Sequence, residues 1–468
     1  MPNEVHSCER YANARRRADE RLMPLPVYTG PFGPAQAERL LWRAGFGPRP
    51  GEERALAGKG LDGAVGQLLT TAPDRLVGRP PKVNGRRLYP LDKFGHDHLW
   101  WLDRMVRTSR PLTERMTLVW HDWFATSNET VGSQRLMIRQ NNMFRRSGLG
   151  SFPGLVLRVT SNPAMLLYLN GLESEKGAPN ENYARELMEL FTLGHGSGYT
   201  ERDVREQARA LTGFTAHYKN GYGWVRFRFD RNHHDDAMKV VFDKPGPYGW
   251  KQAVKLTIEH PAHKTFFTRK LWGYFIPEPA DDETQAALEA LYVQSGYSTK
   301  QVLAAILKHP RLYEGPRMVK PPAVYLAGML RTLGDRISTE DWVWLSIQAG
   351  QLLFYPPNVS GWNDDRWLDT STFQARWNMA HRVLKKHAYH PDHTKRGEVP
   401  ADPAKLVDRA ISFWGVQLSD STRRALLTYA QKTMGAAVAD DDRQRKFPPM
   451  TLNALRHLVA ASPEMQTS

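Results

Sequence analysis

The amino-acid sequence predicts a mainly α fold, a single large helical domain that carries a small β-hairpin or three-stranded insertion. Apolar residues recur at spacings of three and four along most of the chain, which is the period of an amphipathic helix. Alternation of period two is confined to about 214–242. Residues 1–33 are polar, rich in Arg and interrupted by Pro and Gly, so we expect a flexible basic tail ahead of a helical domain at 34–468.

The helical patterns follow one another closely. The first helix is expected to begin near Pro34 and to end at Gly45, and the Pro- and Arg-rich stretch 73–92 is typical of a loop. Helices resume at His96. A later helix has Pro111 in its first turn, and its large apolar residues form one buried stripe: Leu112, Met116, Val119, Trp120 and Trp123. Further helices are expected within 249–334 and at 371–386, 402–413 and 420–435.

The insertion is predicted from two alternating runs that flank Asn220-Gly221, a dipeptide that favours hairpin turns. The alternating residues are Phe214, Ala216 and Tyr218 before the turn and Val225, Phe227 and Phe229 after it. The segment MKVVF at 238–242 is expected to add a third strand.

Composition excludes several classes of protein. Hydrophobic residues make up 41% of the chain and charged residues 24%, which is typical of a globular protein with a substantial core. No stretch approaches the roughly 20 apolar residues of a membrane-spanning helix. The single cysteine, Cys8, excludes an internal disulfide, and no apolar signal segment is visible near the first residues. We therefore expect a cytoplasmic protein.

The net charge of +15 points to anionic partners. The basic residues are scattered, and there is no zinc-finger spacing or aromatic RNA-binding signature, so nucleic acid is not the expected partner. A polar, anionic small molecule or peptide is favoured instead. The chain has no P-loop or dinucleotide motif and no Gly-x-Ser-x-Gly nucleophile elbow, which argues against a nucleotide cofactor and a serine nucleophile.

The densest group of polar residues lies in two consecutive helical patterns. In NENYARELMELFTLG (180–194), Asn182, Glu186 and Glu189 share one polar stripe of a helix that Asn180 is expected to cap. In YTERDVREQARALTG (199–213), Thr200 and Asp203 have the spacing of a capping box, while Glu206 and Arg209 share another face. The two helices should pack as a hairpin.

At this point the chain resembles the domain of unknown function 1800 family, a bacterial family. The resemblance rests on WHDWFAT (120–126), RLMIRQNNMFR (135–145), NPAMLLYLNG (162–171), NENYARELMELFTLG (180–194), YTERDVREQARALTGF (199–214), FDRNHHDDAMK (229–239), HPAHKTFFTRKLW (260–272) and PPNVSGW (356–362). It covers about residues 35–385 and implies a family fold rather than a known reaction. Many relatives are exported, whereas no signal is visible in this sequence. The family's His-Asp pair aligns with His234 and Asp235.

These residues suggest one polar centre. Glu186 and Glu189 present two carboxylates on one helical face, and His234 beside Asp235 can act as a general acid or base, which makes these four the predicted catalytic residues. The predicted substrate-binding residues are Asn182, Arg139, Arg185, Arg209 and Lys239. A divalent metal ion is a candidate cofactor, and its predicted ligands are His121, His195, His234, Glu186 and Glu189.

Each of these residues also has a structural interpretation. Glu189 can pair with Arg185, His121 can be a hydrogen-bonded core residue, and the arginines near Arg139 can form a solvated basic face. The turn PPNVSGWNDDRW is expected to bury Trp362 and Trp367 as anchors, with a pocket rim as the alternative. The sequence thus favours an enzyme with acid-base or metal-assisted chemistry, hydrolytic or oxidative. The alternative is a non-catalytic helical binding or scaffold protein.

Overall fold

The structure of the protein is a computed structural model, which describes residues 24–220, 223–395, 397–436 and 441–468. The mainly α prediction is confirmed, because nearly all of the regular structure is helical. Across these residues, no helix combines the length and the apolar character that crossing a bilayer would require.

The helices of the first half of the chain are α1 (Pro34–Arg43), α2 (Glu52–Ala57), α3 (Gly60–Leu68), α4 (His96–Arg107), α5 (Pro111–Trp123), α6 (Asn128–Val131), α7 (Gln134–Ser147), α8 (Phe152–Thr160), α9 (Pro163–Tyr168), α10 (Asn182–Glu186) and α11 (Glu201–Ala210). The predicted capping box of α11 is confirmed, since the Thr200 side chain accepts from the backbone N–H of Asp203 and the Asp203 side chain accepts from that of Thr200. The predicted helix 180–194 is interrupted: α10 continues as a π-helix at Leu187–Thr192.

The helices of the second half are α12 (Trp250–Glu259), α13 (Ala262–Gly273), α14 (Asp282–Gln294), α15 (Thr299–Lys308), α16 (Pro310–Glu314), α17 (Pro322–Leu333), α18 (Asp341–Gln348), α19 (Thr370–Leu384), α20 (Pro403–Trp414), α21 (Asp420–Ala436), α22 (Asp441–Ala461) and α23 (Pro463–Gln466). Short 3-10 turns occupy Gly171–Glu173, Arg231–His233 and Asp364–Arg366.

The strands form separate two-stranded antiparallel hairpins in the described residues: β1 (Lys82–Val83) with β2 (Arg86–Arg87), β3 (Phe214–Lys219) with β4 (Gly223–Phe229), and β5 (Lys239–Val241) with β6 (Lys244–Gly246). The predicted hairpin is confirmed as β3–β4, and residues 221–222 of its turn lie outside the described residues. The predicted third strand, β5, does not join it. A tight turn at Phe242 and Asp243 returns the chain onto β5 instead, so the insertion consists of two small hairpins.

Two clusters of buried apolar side chains form the core, and α5 lies between them. Trp120 and Trp123 of α5 belong to the cluster built mainly by helices from α1 to α3 and α8 to α16. Leu118 faces the second cluster, which is built mainly by α4 and the helices from α17 to α22. Most side chains of α5 are buried, so the polar groups on this helix lie in the interior of the protein.

The predicted flexible tail falls mostly on residues 1–23, which lie outside the described residues, and Cys8 is among them. Its last part is packed rather than free. Tyr28 is buried, its ring centroid lies 4.7 Å from that of Tyr313, and its backbone N–H donates to the carbonyl of Lys308 at 2.8 Å. The folded region therefore begins ahead of Pro34.

Candidate functional site

The loop that follows β4 returns to the helical hairpin of α10 and α11, as predicted. Asp235 Oδ2 accepts a hydrogen bond from Nε of Arg209 at 2.7 Å, near the C-terminal end of α11. Nη1 of Arg209 donates to both carboxylate oxygens of Glu206 at 2.9 and 3.1 Å. The predicted approach of Asp235 to this hairpin is therefore confirmed.

The polar groups around Arg209 are already satisfied by one another. Lys239 is buried and donates to two carbonyls of its own loop. Glu206 accepts from the backbone N–H of Val240 at 2.9 Å. Burial raises the pKa of Asp235, but the hydrogen bonds from Arg209 and the Ala237 N–H, together with the charges of Arg209 and Lys239, hold that pKa below its ordinary value. The group fastens the loop onto α11, and this arrangement favours a structural role.

His234, predicted as a catalytic residue, is buried against the same helix. Its Nδ1 donates to the carbonyl oxygen of Thr212 at 2.9 Å, and its ring centroid lies 5.3 Å from that of Phe229. A buried histidine with a backbone partner holds the chain in place, so this environment also favours a structural role.

Glu186 and Glu189 lie at the other end of the hairpin. Arg185 pairs with Glu201, the first residue of α11, at 2.7 Å. Arg209 is eight residues farther along α11, which is about 12 Å along a helix axis. The predicted single centre is therefore corrected to two separate groups, because antiparallel packing places the two predicted halves at opposite ends of one helix.

The group around Glu186 is open to solvent. Glu189 Oε1 lies 3.0 Å from Nδ1 of His195, whose side chain is 86% exposed. Glu186 is partly buried, and burial together with the charge of Glu189 raises its pKa against the opposing effect of Arg185. Such exposed pairs contribute about 0–1 kcal/mol to stability.

The predicted substrate-binding residues make no hydrogen bond or ion pair with Glu186 or Glu189 in the described part of the chain. Arg185 is bonded to Glu181 and Glu201, and the side-chain amide of Asn182 donates to Asn170 at 3.1 Å. Arg139 is exposed on α7 and makes no hydrogen bond or ion pair with any described residue. The solvated-face interpretation of Arg139 therefore fits the structure better than the binding one.

The predicted metal ligands are likewise not assembled into one site. His121 is buried within the core, where its ring centroid lies 5.6 Å from Phe354 and 5.4 Å from Trp362, whereas His195 lies at the surface. Burial lowers the pKa of His121 to about 3, which favours its neutral, core form. Nowhere in the described part of the chain are three His, Cys, Asp or Glu side chains grouped so that they could hold a metal ion. The prediction that these five residues form one metal site is thus wrong for the described residues. The use of a divalent metal ion elsewhere in the protein stays a prediction.

A different cavity gathers ionisable groups from distant parts of the chain. This central pocket has a volume of about 720 Å³. One face of α5, the end of α13, the segment 317–321 and the segment 360–368 line it. Its polar lining includes Arg115, Asp122, Lys270, Tyr274, Trp362 and Trp367. The pocket lies where α5 separates the two core clusters.

Asp122 is held between two donors inside the central pocket. Tyr274 donates its hydroxyl to Oδ2 at 2.6 Å, and the backbone N–H of Trp362 donates to Oδ1 at 2.9 Å. Gly361 allows this approach, because its φ of +94° is in the region that favours glycine and a Cβ there would overlap the carboxylate. The turn PPNVSGW is therefore folded directly onto Asp122.

Lys270 completes the ionisable lining from α13. Its ammonium donates to the carbonyl of Leu190 at 2.9 Å and lies 4.7 Å from the ring centroid of Trp123. Leu190 belongs to the π-helix, whose last carbonyls have no partner within the helix and take side-chain donors instead. The segment 180–194 thus supports the central pocket from behind rather than forming the site itself.

Burial shifts the pKa values of all these groups. It raises the pKa of Asp122, although the Tyr274 hydroxyl and the Trp362 N–H oppose the change. Burial and the neighbouring Asp122 raise the pKa of Tyr274 well above its ordinary value. Burial lowers the pKa of Lys270 to about 8 and that of Arg115 to about 10. Titratable groups with perturbed pKa values in one cavity are a physical sign of a functional site.

Sequence reasoning missed Asp122 and Lys270 as site residues, and it interpreted Trp362 first as a structural anchor. Asp122 stands beside His121 in WHDWFAT, Lys270 is in HPAHKTFFTRKLW, and Trp362 ends PPNVSGW. All three segments were recognised as carrying the resemblance, and polar residues embedded in such apolar motifs were the available signal. Trp362 and Trp367 line the pocket, so the alternative interpretation of their turn as a rim is supported.

Comparison with known proteins supports a family but no named relative. No curated protein and no solved structure matches the chain significantly. The family described as "Protein of unknown function (DUF1800)" matches residues 39–467, which extends the predicted resemblance of about 35–385 almost to the last residue. The chain therefore belongs to the DUF1800 family.

Proposed function

We propose that this protein is an enzyme that carries out acid-base chemistry on a small polar molecule in the central pocket. The observation that carries the proposal is the Asp122–Tyr274 hydrogen bond of 2.6 Å inside a cavity of about 720 Å³. A cavity of this volume accommodates a small-molecule ligand, and its polar groups come from several separate segments.

The roles follow from the shifted pKa values. Asp122, whose pKa is raised by burial, is the group that accepts or returns a proton. Tyr274 stays protonated because its pKa is raised, so it orients the carboxylate and can donate a hydrogen bond to a substrate oxygen. Lys270, with a pKa of about 8, is positioned to stabilise negative charge that develops on the substrate.

Hydrolytic and oxidative reactions both need such proton transfers, so both reaction classes stay predictions. A divalent metal ion as cofactor also stays a prediction, and elemental analysis of the purified protein tests it. The cytoplasmic location expected from the sequence is likewise part of this proposal.

The test pairs binding with turnover. Small polar molecules that stabilise the purified protein against heating are incubated with it, and their conversion is followed by NMR. Asp122→Asn and Tyr274→Phe should keep binding, because each variant preserves shape, and should slow conversion about 100-fold or more. The matched controls are Asp282→Asn and Tyr429→Phe, because both residues are exposed and neither lines the central pocket.

Conversion at the wild-type rate by both pocket variants would contradict the catalytic assignment. Ligands that bind in the central pocket but are never converted would instead favour the second candidate, a non-catalytic binding protein.

A further inference from the structure

We infer that the ligand of the central pocket is a small organic carboxylate, whose carboxylate group is bound by Arg115. This inference rests on the proposed function in one respect, because it assigns a ligand class to the same cavity. It is carried by a separate observation, the absence of any protein partner for the Arg115 guanidinium.

Arg115 is 5% exposed, yet its side chain makes no hydrogen bond or ion pair with any residue that the structure describes. Its Nε is one of the buried polar atoms that lack a partner. Asp122 attracts this charge from a distance, but a buried guanidinium without a hydrogen-bond acceptor is costly, and proteins rarely keep one without a reason. The missing partner is therefore expected to be a ligand.

Arg43 and Arg331 show the ordinary arrangement of a buried arginine, whereas Arg110, which is 8% exposed and lies outside the central pocket, also has a side chain without a hydrogen-bond partner among the described residues. Arg43 donates to the carbonyls of Phe275 and Pro316 at 2.5 and 2.9 Å. Arg331 donates to the carbonyl of Gly47 at 3.1 Å and to others nearby. Arg115 is as buried as these residues are, but it has the pocket in place of protein acceptors.

Two further donors on the same lining lack partners. The indole N–H groups of Trp362 and Trp367 are buried and unbonded, and both residues line the central pocket. Among the described residues, no buried side-chain acceptor of this lining is without a partner, and the carboxylates of Asp364 and Asp365 are exposed. The buried part of the lining therefore has spare donors and no spare side-chain acceptors, which is complementary to a ligand rich in acceptors, such as an oxyanion.

Charge and geometry favour a carboxylate over a phosphate ester. The lining holds the cations Arg115, Lys270 and Arg317 and the carboxylates of Asp122, Asp364 and Asp365. A monoanion matches the one buried guanidinium that lacks a hydrogen-bond partner, since Arg317 is exposed, whereas a dianion would meet three carboxylates in a formally balanced cavity. The planar fork of an arginine also fits the two oxygens of a carboxylate.

The length of the ligand is bounded by α5. Arg115 and Asp122 are seven residues apart on one face of this helix, which separates their Cα atoms by about 10.5 Å. A molecule whose carboxylate meets Arg115 and whose reacting atom meets Asp122 therefore spans fewer than about ten bonded atoms.

The inference is tested by direct binding with acetate, benzoate and indole-3-acetate, each measured by calorimetry or ligand-detected NMR. Benzamide and phenyl phosphate serve as the neutral and dianionic comparisons. We expect saturable binding of at least one carboxylate and weaker binding of both comparison compounds. Arg115→Met should weaken carboxylate binding about 10- to 100-fold, Arg115→Lys should weaken it less, and the exposed Arg269→Ala should leave it unchanged.

Three results would overturn the inference: no carboxylate of the panel binds, benzamide or phenyl phosphate binds as well as benzoate, or Arg115→Met binds like the wild type. Arg115→Lys keeps the charge and guards against a loss that comes only from misfolding. Carboxylate binding without turnover would contradict only the proposed catalysis, whereas turnover of a neutral molecule would contradict only this inference.

Discussion

Replacing Arg115 by Met should make the protein more stable while it weakens ligand binding. Arg115 is almost fully buried and has no hydrogen-bond partner in the described structure, and the cost of its burial exceeds the attraction of Asp122, so its positive charge opposes folding. Met has a similar length and an apolar side chain that fits beside Leu118 and Val119, its neighbours on the pocket wall.

The magnitude follows from the pKa of Arg115, which burial lowers from 12.5 to about 10. At about 1.4 kcal/mol for each pKa step, the folded state disfavours the charged form by about 3 kcal/mol. The substitution also removes any contact of the guanidinium with water in the pocket, and this loss offsets part of the gain. We therefore expect the free energy of unfolding to rise by about 1–3 kcal/mol. The assay is urea denaturation followed by circular dichroism at neutral pH, with no ligand present.

Arg331→Met is the matched control, because Arg331 is equally buried but donates to carbonyls and to Glu52 at 3.2 Å. Its loss leaves those acceptors unpaired, so we expect a decrease of about 3 kcal/mol or more. A decrease of the same size in Arg115→Met would refute the reasoning, since it would show that Arg115 has protein partners after all.

Three further outcomes are expected. Lys270 has a pKa of about 8 in the folded protein and an ordinary value of 10.5 when unfolded, so the burial of its charge destabilises the protein less as the pH rises from 8 to 10. The stability of Lys270→Met relative to the wild type should therefore fall by up to about 2 kcal/mol over that pH range in urea titrations. A difference that stays constant with pH would contradict this prediction. Gly361→Ala should lower the thermal midpoint by more than Gly177→Ala does. Both glycines have positive φ, but only at position 361 would a Cβ overlap neighbouring atoms. Equal thermal midpoints of the two variants would contradict the close packing of the turn at Gly361. Glu186→Gln and Glu189→Gln should each change the free energy of unfolding by no more than about 1 kcal/mol, because both carboxylates are partly exposed. Removing one partner of a buried ion pair would instead cost about 3–5 kcal/mol. A loss of several kcal/mol in urea titrations would therefore show that these carboxylates are buried in a network.

The regular elements of the fold could be predicted because their signals are local. The apolar stripe of α5, the capping box at Thr200 and the β3–β4 hairpin each depend on residues within a few positions of one another. The π-helix at Leu187–Thr192 could not be predicted, because the residue pattern there is that of an ordinary amphipathic helix. The pairing of β5 with β6 depended on a turn at Phe242 and Asp243 that has no glycine to announce it.

The candidate site could not be predicted because its residues are far apart in the sequence. Arg115 and Trp367 lie on the same pocket although about 250 positions separate them, and only tertiary packing brings them together. Local reasoning instead favoured the polar groups of 180–239, where acidic and basic residues are close in sequence. Nearness in sequence placed Asp235 beside Arg209 correctly, but those groups satisfy one another and leave nothing for a substrate.

Several departures from ordinary local structure lie around the central pocket, and this supports its assignment. Arg115 is buried without a partner, Gly361 holds a positive φ against Asp122, and the π-helix carbonyl of Leu190 takes the ammonium of Lys270. Phe354, with a φ of +72°, packs behind the pocket in contact with the core around His121. The buried guanidinium of Arg115 and the left-handed backbone of Phe354 each disfavour the folded state. The protein is less stable because it keeps such features beside one cavity. Such a loss of stability is expected where binding or catalysis requires groups that folding alone would not retain.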